Sequence, residues 1–192
     1  MIDCLIAAGR SGAERVALNF ALSVGMPCGG YTGEDFWVDD CRLDEKHQHV
    51  LIDMAGMSLN QATEMNVKAS DATLLLVNYH GDLRRDELET MRSCIRNKKS
   101  LCVIDLTSDQ DELRQQIRNA AEWLLLNAVE VIHVSGSCES FCPGTSSRAG
   151  RVLEAVLGSA FLYLQQHPEL QSESNRFAQQ SWKSLNIHGG KA

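Results

Sequence analysis

The stretch IDCLIAAGRSGAER, Ile2 to Arg15, decides the reading of this chain. A short apolar run, Ile2 to Ala8, breaks into Gly9-Arg10-Ser11-Gly12 and then into Ala13-Glu14-Arg15. Val16, Ala17, Phe20, Ala21 and Val24 follow at helical spacing, so the segment reads as strand, tight glycine turn and amphipathic helix. That order aims backbone N–H groups and the positive end of a helix dipole at one point, where phosphate-bearing ligands settle in open α/β folds. Two glycines also serve plain turn geometry, so the order of the elements carries more weight than the glycines themselves.

Outward from this unit, apolar runs and helical periods alternate. Met26 to Tyr31 reads as a short second strand opening into Gly29-Gly30. Residues 32–57 have no clear period and carry Glu34, Asp35, Asp39, Asp40, Asp44 and Glu45, as a long acidic connection would. Ser58 is expected to cap a helix through Ala69, with Asp71 fixing the turn into the next strand. That strand, Ala72 to Val77, is apolar on both faces, like a buried parallel strand. Leu88, Met91 and Ile95 mark a helix ending near Lys98-Lys99, and Leu101 to Leu106 form another strand. Thr107 or Ser108 should cap a helix with Leu113, Ile117, Ala120, Ala121 and Leu124 on its inner face. A strand over Val129 to Val134, the turn Ser135-Gly136-Ser137 and a helix from Thr145 to Gln166 complete the series. The alternation predicts an α/β fold: a three-layer, Rossmann-like parallel sheet with helices on both faces, joined by right-handed crossovers. Residues 1–170 read as one domain, and 171–192 as a polar tail or arm.

Composition narrows the function. A chain of 192 residues with 44% hydrophobic content can bury one sizeable core, and its net charge of −7 argues against binding nucleic acid or an anionic membrane. The apolar start has no basic leader, and the longest uncharged run, Val16 to Gly33, is broken by Asn19, Pro27 and glycines. Seven cysteines, an odd number in mostly apolar elements, read as reduced thiols of a cytoplasmic protein. Cys138 and Cys142 lack zinc-site spacing and the six histidines do not cluster, so no protein-bound metal is expected. His47 and His49 are expected at the surface of the acidic connection.

Four blocks of the chain resemble the molybdenum-cofactor carrier proteins, a Rossmann-like group similar to the lysine-decarboxylase-like nucleotide-binding fold. They are AAGRSGAERVALNFALSVGMPCGGY (Ala7 to Tyr31), ATEMNVKASDATLLL (Ala62 to Leu76), KKSLCVIDL (Lys98 to Leu106) and VEVIHVSGSCESFCPG (Val129 to Gly144). The chain departs from the pattern at Ala8, where the family has a glycine, and at Ala62, where it has an arginine. Thr32-Gly33-Glu34-Asp35 replaces a basic corner, and Asn78 to Arg85 replaces a glycine-glycine-threonine turn. The resemblance implies a divergent member that binds a phosphorylated pterin (the molybdenum cofactor, molybdopterin) or a nucleotide. It also implies self-association as a homodimer or homotetramer, for which Trp37, Met54 and Met57 offer apolar loop surface.

The candidate binding residues fall in four groups. Gly9, Arg10, Ser11 and Gly12 would cradle an anion, with Arg15 as a second cation. Gly29 and Gly30 end a strand where ligands approach. Glu64 and Asn66 would read the edge of a heterocycle, or tie their helix to a neighbouring loop. Gly136, Ser137, Glu139 and Ser140 would form a second anion nest. Arg10 reads as exposed, so its replacement by alanine should leave stability within about 0.5 kcal/mol. No glycine-x-serine-x-glycine elbow is present, nor the glycine-rich loop of the nucleotide-cleaving relatives. The chain therefore reads as a binding protein without catalysis. The alternatives are a lysine-decarboxylase-like nucleotide phosphoribohydrolase, or a degenerate member acting through protein contacts.

Overall fold

Ala72–Val77 is buried along its whole length because it has a parallel partner on each side. The computed structural model describes residues 2–39, 41–79 and 81–167. The first half of the chain contains β1 (Cys4–Ile6), α1 (Ala13–Ser23), β2 (Cys28–Gly29), β3 (Tyr31–Thr32), β4 (Trp37–Val38) and β5 (Cys41–Arg42). It continues with α2 (Glu45–Gln48), β6 (Ile52–Asp53), α3 (Leu59–Ala69) and β7 (Ala72–Val77). The second half contains α4 (Arg85–Arg96), β8 (Ser100–Asp105), α5 (Gln110–Leu126), β9 (Val131–Gly136) and α6 (Thr145–Gln166).

The central sheet is parallel, in the order β2-β1-β9-β7-β8. Helices α1, α6 and α5 pack side by side on one face, and α3 and α4 on the other. The expected three-layer α/β architecture is therefore present. Its core is apolar: Leu5, Leu18, Leu74, Leu76, Ile104, Ile132 and Leu153 are fully enclosed. The reading of α6 holds at both ends, and Ser58 caps α3 through a reciprocal bond pattern with Gln61. Asp71 does fix the entry to β7, since its carboxylate accepts from the N–H groups of Glu130 (3.0 Å) and Val131 (2.7 Å).

Several details differ from the sequence reading. Asp109, not Thr107 or Ser108, caps α5: its carboxylate accepts from the N–H groups of Asp111 and Glu112, stronger than a hydroxyl can. Strand β9 starts two residues late and runs through Ser135 and Gly136, which were expected in a turn. The acidic connection contains a hairpin (β4–β5) and the short helix α2, both too short to show a period. His47 is buried, not exposed, because Asp44 and Asn19 take up its two ring nitrogens. His49 is exposed. All seven cysteines are free thiols. The segment expected as a tail, 171–192, lies outside the described residues. Among the described residues, no helix is long and apolar enough to cross a membrane.

His133 in β9 is fully enclosed, with Thr73 at 3.2 Å from its Nδ1. Burial pushes its pKa down to about 3 from an ordinary 6.5. The unfolded chain therefore binds a proton below pH 6.5 that the native state refuses, and stability falls as pH drops from there towards 3. From pH 6.5 to 5 this one group should account for a loss of about 2 kcal/mol. Urea unfolding at both pH values is expected to show a shallower pH slope for His133→Gln than for the parent. Equal slopes would show that His133 does not drive the acid sensitivity.

Candidate functional site

The chain leaves β1 towards β2 on one side of the sheet and leaves β7 towards β8 on the other, with β9 between them. The carboxyl ends of β1, β9 and β7 thus frame a topological switch point, where open α/β sheets form their ligand crevice. Three segments meet there: the turn Gly9–Gly12, the loop that starts at Ser137, and Asn78. Gly12 has φ 87 and passes so close to the Ser137–Glu139 backbone that a Cβ would come within 2.7 Å of the Glu139 nitrogen. The tight turn after β1 is therefore tied directly to the loop after β9, and Ala13 N–H donates to the Ser137 carbonyl (3.2 Å).

Arg10 lies at the centre, with its side chain only 14% exposed. Its Nε and Nη2 donate to Asp39 Oδ1 (3.0 and 2.9 Å), and Nη1 meets Asp86 Oδ2 (2.8 Å). Ser11 adds its backbone N–H (3.1 Å) and its hydroxyl (3.3 Å) to Asp39 Oδ2. The buried Cys138 thiol sits 3.9 Å from Asp39 and 3.8 Å from Asp86. Burial opposes the Arg10 charge, but the carboxylates of Glu14, Asp39 and Asp86 outweigh it and hold the guanidinium protonated beyond the usual arginine range. Burial pushes the Cys138 thiol far up, so the sulfur stays protonated and is a poor nucleophile.

Two buried carboxyl groups flank the end of β9. Glu14 accepts from Arg10 N–H (3.1 Å) and from the Ser135 hydroxyl (3.2 Å), and Ser135 lies 3.2 Å from the Thr90 hydroxyl. Burial raises the Glu14 pKa, against the pull of Arg10. Glu87 accepts a short bond from the Ser137 hydroxyl, and its other oxygen accepts from Arg84 N–H (2.8 Å). Ser137 in turn accepts from Asn78 N–H (2.8 Å), while the Asn78 amide donates to Thr145. Each oxygen of both glutamates is engaged, as burial demands.

The remaining candidates separate. Arg15 faces inward to the turn, and its Nε donates to the Gly9 carbonyl (2.7 Å). Gly29 ends β2, and Gly30 passes over the Ala7 carbonyl at the end of β1. Asn66 is buried, and its amide bonds Tyr31 in both directions, donating to its carbonyl (2.9 Å) and accepting from its N–H (2.7 Å). Asn66 therefore ties α3 to the second-strand corner. Glu64 lies apart, paired with Lys68 (2.9 Å) and Arg96 (3.2 Å). In the expected second nest, Glu139 itself covers the start of α6, accepting from the N–H groups of Gly144 and Ser146 (2.6 Å each). Those two bonds, Ser146 first, hold its carboxyl below the usual range. Gly136 lies in β9 and Ser140 in the loop beyond. At the lip, the Arg84 guanidinium stacks 3.6 Å above the ring of Phe141, which is half exposed.

Asp39, Asp86, Glu87, Ser135 and Thr90 carry no motif and come together only through the fold. The one trace in the sequence is Arg85-Asp86-Glu87, the acidic start of a helix at the end of the segment, Asn78 to Arg85, that replaces the resembling family's glycine turn. Arg10 is also not the exposed side chain expected from the sequence. Among the described residues, no three His, Cys, Asp or Glu side chains gather as a metal site would require.

Comparison with known proteins matches this architecture. No curated protein sequence matches the chain. The crystal structure of a "putative molybdenum carrier protein" from Syntrophus aciditrophicus is similar at a TM-score of 0.71 and 28% identity, covering 81% of this chain and 95% of that one. The model of the circularly permutated YpsA SLOG family matches residues 5–157, a span that holds all four blocks and every residue of the Arg10 centre. The chain belongs to the circularly permutated YpsA SLOG family.

Proposed function

We propose that this protein holds a small phosphorylated ligand at the carboxyl edge of its sheet, in the manner of a carrier, without turning it over. The ligand class is a phosphorylated pterin, as in the molybdenum cofactor, or a nucleotide. One observation carries the reading: four donors, two from Arg10 and two from Ser11, converge on a single carboxylate at the glycine turn. A phosphoryl group presents the same acceptor oxygens and would meet the same fork and N–H. The residues fit one phosphate group there. Phe141, on the adjoining loop, is half exposed and already carries the Arg84 guanidinium on one face, so a flat ring would have to use its other face. Family membership and the carrier named above support the same class. Binding without turnover is favoured because Glu14 and Glu87, the buried carboxyl groups best placed for acid–base work, spend every oxygen on internal bonds.

Self-association as a homodimer or homotetramer and a cytoplasmic location belong to the same proposal. Trp37 (54% exposed) and Met57 (42%) support the former, and the free thiols the latter. Calorimetric titration with nucleoside phosphates and a pterin phosphate tests the binding. At least one is expected to bind, and Arg10→Lys, which keeps the charge but loses the fork, should weaken it about tenfold or more. Light scattering should give a multiple of 21.2 kDa. No binding across the panel at millimolar concentration would overturn the carrier reading. Release of free base from nucleoside monophosphates would replace it with the phosphoribohydrolase.

A further inference from the structure

We infer that Asp39 is a built-in competitor for the anion site, so that a phosphate enters only by displacing it. The inference rests on the glycine turn being an anion cradle, as proposed above. Both expected nests hold carboxylates of the chain itself, but the two differ in kind. Glu139 covers the start of its own neighbouring helix and belongs to that loop. Asp39 reaches Ser11 from 28 residues away, at the tip of the β4–β5 hairpin. Within the turn Gly9–Gly12 only the Ser11 N–H and hydroxyl and the Arg10 side chain turn to Asp39; the turn is otherwise closed by local bonds, Arg15 N–H donating to the Arg10 carbonyl and Val16 N–H to the Gly12 carbonyl.

The hairpin that carries Asp39 is short, with two residues in each strand. Asp39, at the tip, has a positive φ of 50°. Tight hairpin turns call for positive φ at this place, and aspartate tolerates it. The backbone at Asp39 is therefore explained by the hairpin alone, and the bonds to Arg10 and Ser11 hold only its carboxylate. Val38 and Leu43 stay buried on either side and pin the hairpin, so release needs only a turn of the tip. Its departure removes one of the two carboxylates on Arg10 and leaves Asp86. An arriving phosphate then meets two vacated N–H donors of Arg10, the N–H and hydroxyl of Ser11, and less like charge. Affinity is thereby set by the balance between an internal and an external anion.

Binding of inorganic phosphate to the full chain, followed by ³¹P NMR, tests this. Asp39→Asn keeps the shape of the side chain and removes its charge, and is expected to bind phosphate about tenfold or more tightly than the parent. Adding Arg10→Lys should abolish the gain. In the parent, hydrogen exchange under excess phosphate should slow at residues 10–12 and quicken at 37–42, a readout that needs no variant. Parent and Asp39→Asn binding phosphate equally would overturn the competitor and leave the cradle standing. Failure of every form to bind phosphate would overturn both. Slower exchange at 10–12 without faster exchange at the hairpin would also overturn displacement.

Discussion

Replacing Arg10 with alanine is expected to cost about 3 kcal/mol of folding stability. An exposed arginine would cost little, and the glycine turn alone suggests such a residue. The fold places it between Asp39 and Asp86, 14% exposed, with the buried Glu14 accepting from its own N–H. Removing the guanidinium leaves like charges facing one another in a site partly closed to water, and breaking a buried pair from one side is the costly way to break it. The loss should shrink as pH falls, since burial already raises the Glu14 pKa and, without the guanidinium that opposes this, the carboxyl takes up its proton at higher pH. Urea unfolding of parent and variant at pH 7 and at pH 5 measures both effects. A loss within about 0.5 kcal/mol at pH 7 would return Arg10 to the status of a surface side chain.

A larger loss, about 4 kcal/mol, is expected for Gly136→Ala. Gly136 has φ 153 and pairs with Leu76 in the central β7. A Cβ there would press into the Leu76 carbonyl oxygen and lie 2.8 Å from its carbon. Leu76 is fully buried and hydrogen-bonded within the sheet, so it has nowhere to retreat. Overpacking of a rigid core costs about 1–3 kcal/mol, and the unfavourable φ adds a similar amount. For a chain of this size the thermal midpoint should fall by roughly 10 °C or more. An unchanged midpoint would mean that β9 and β7 can part at no cost. The ligand contact expected of Gly136 is then secondary to this one, because the close approach alone accounts for the glycine.

The sheet was readable from residue types because β7 and α6 carry long periodic patterns that few other arrangements satisfy. Ala72–Val77 and Thr145–Gln166 are found where those patterns put them. Short elements gave less. The β4–β5 hairpin has two residues per strand, below the length at which alternation means anything, and it carries Asp39. The glycine turn could be located, but not its contents: an N–H that will accept a ligand looks, in sequence, the same as one already holding an aspartate. Asn66 shows the same limit, since the amide that could read a heterocycle is instead spent on Tyr31. His47 was misjudged because Asn19, which accepts one of its nitrogens, is 28 residues away.

The position of β9 has a consequence for how the chain is made. Among the described residues, the last strand in sequence is the middle strand in space, between β1 and β7. Until residues 131–136 leave the ribosome, the β1–β2 pair and the β7–β8 pair have no seam on which to join, and each shows an unpaired inner edge. The two halves can therefore join only once β9 is available, over long sequence separations, and such pairing is slow by its topology. A nascent chain arrested before Val131 should be unable to join its β1–β2 and β7–β8 pairs into one sheet.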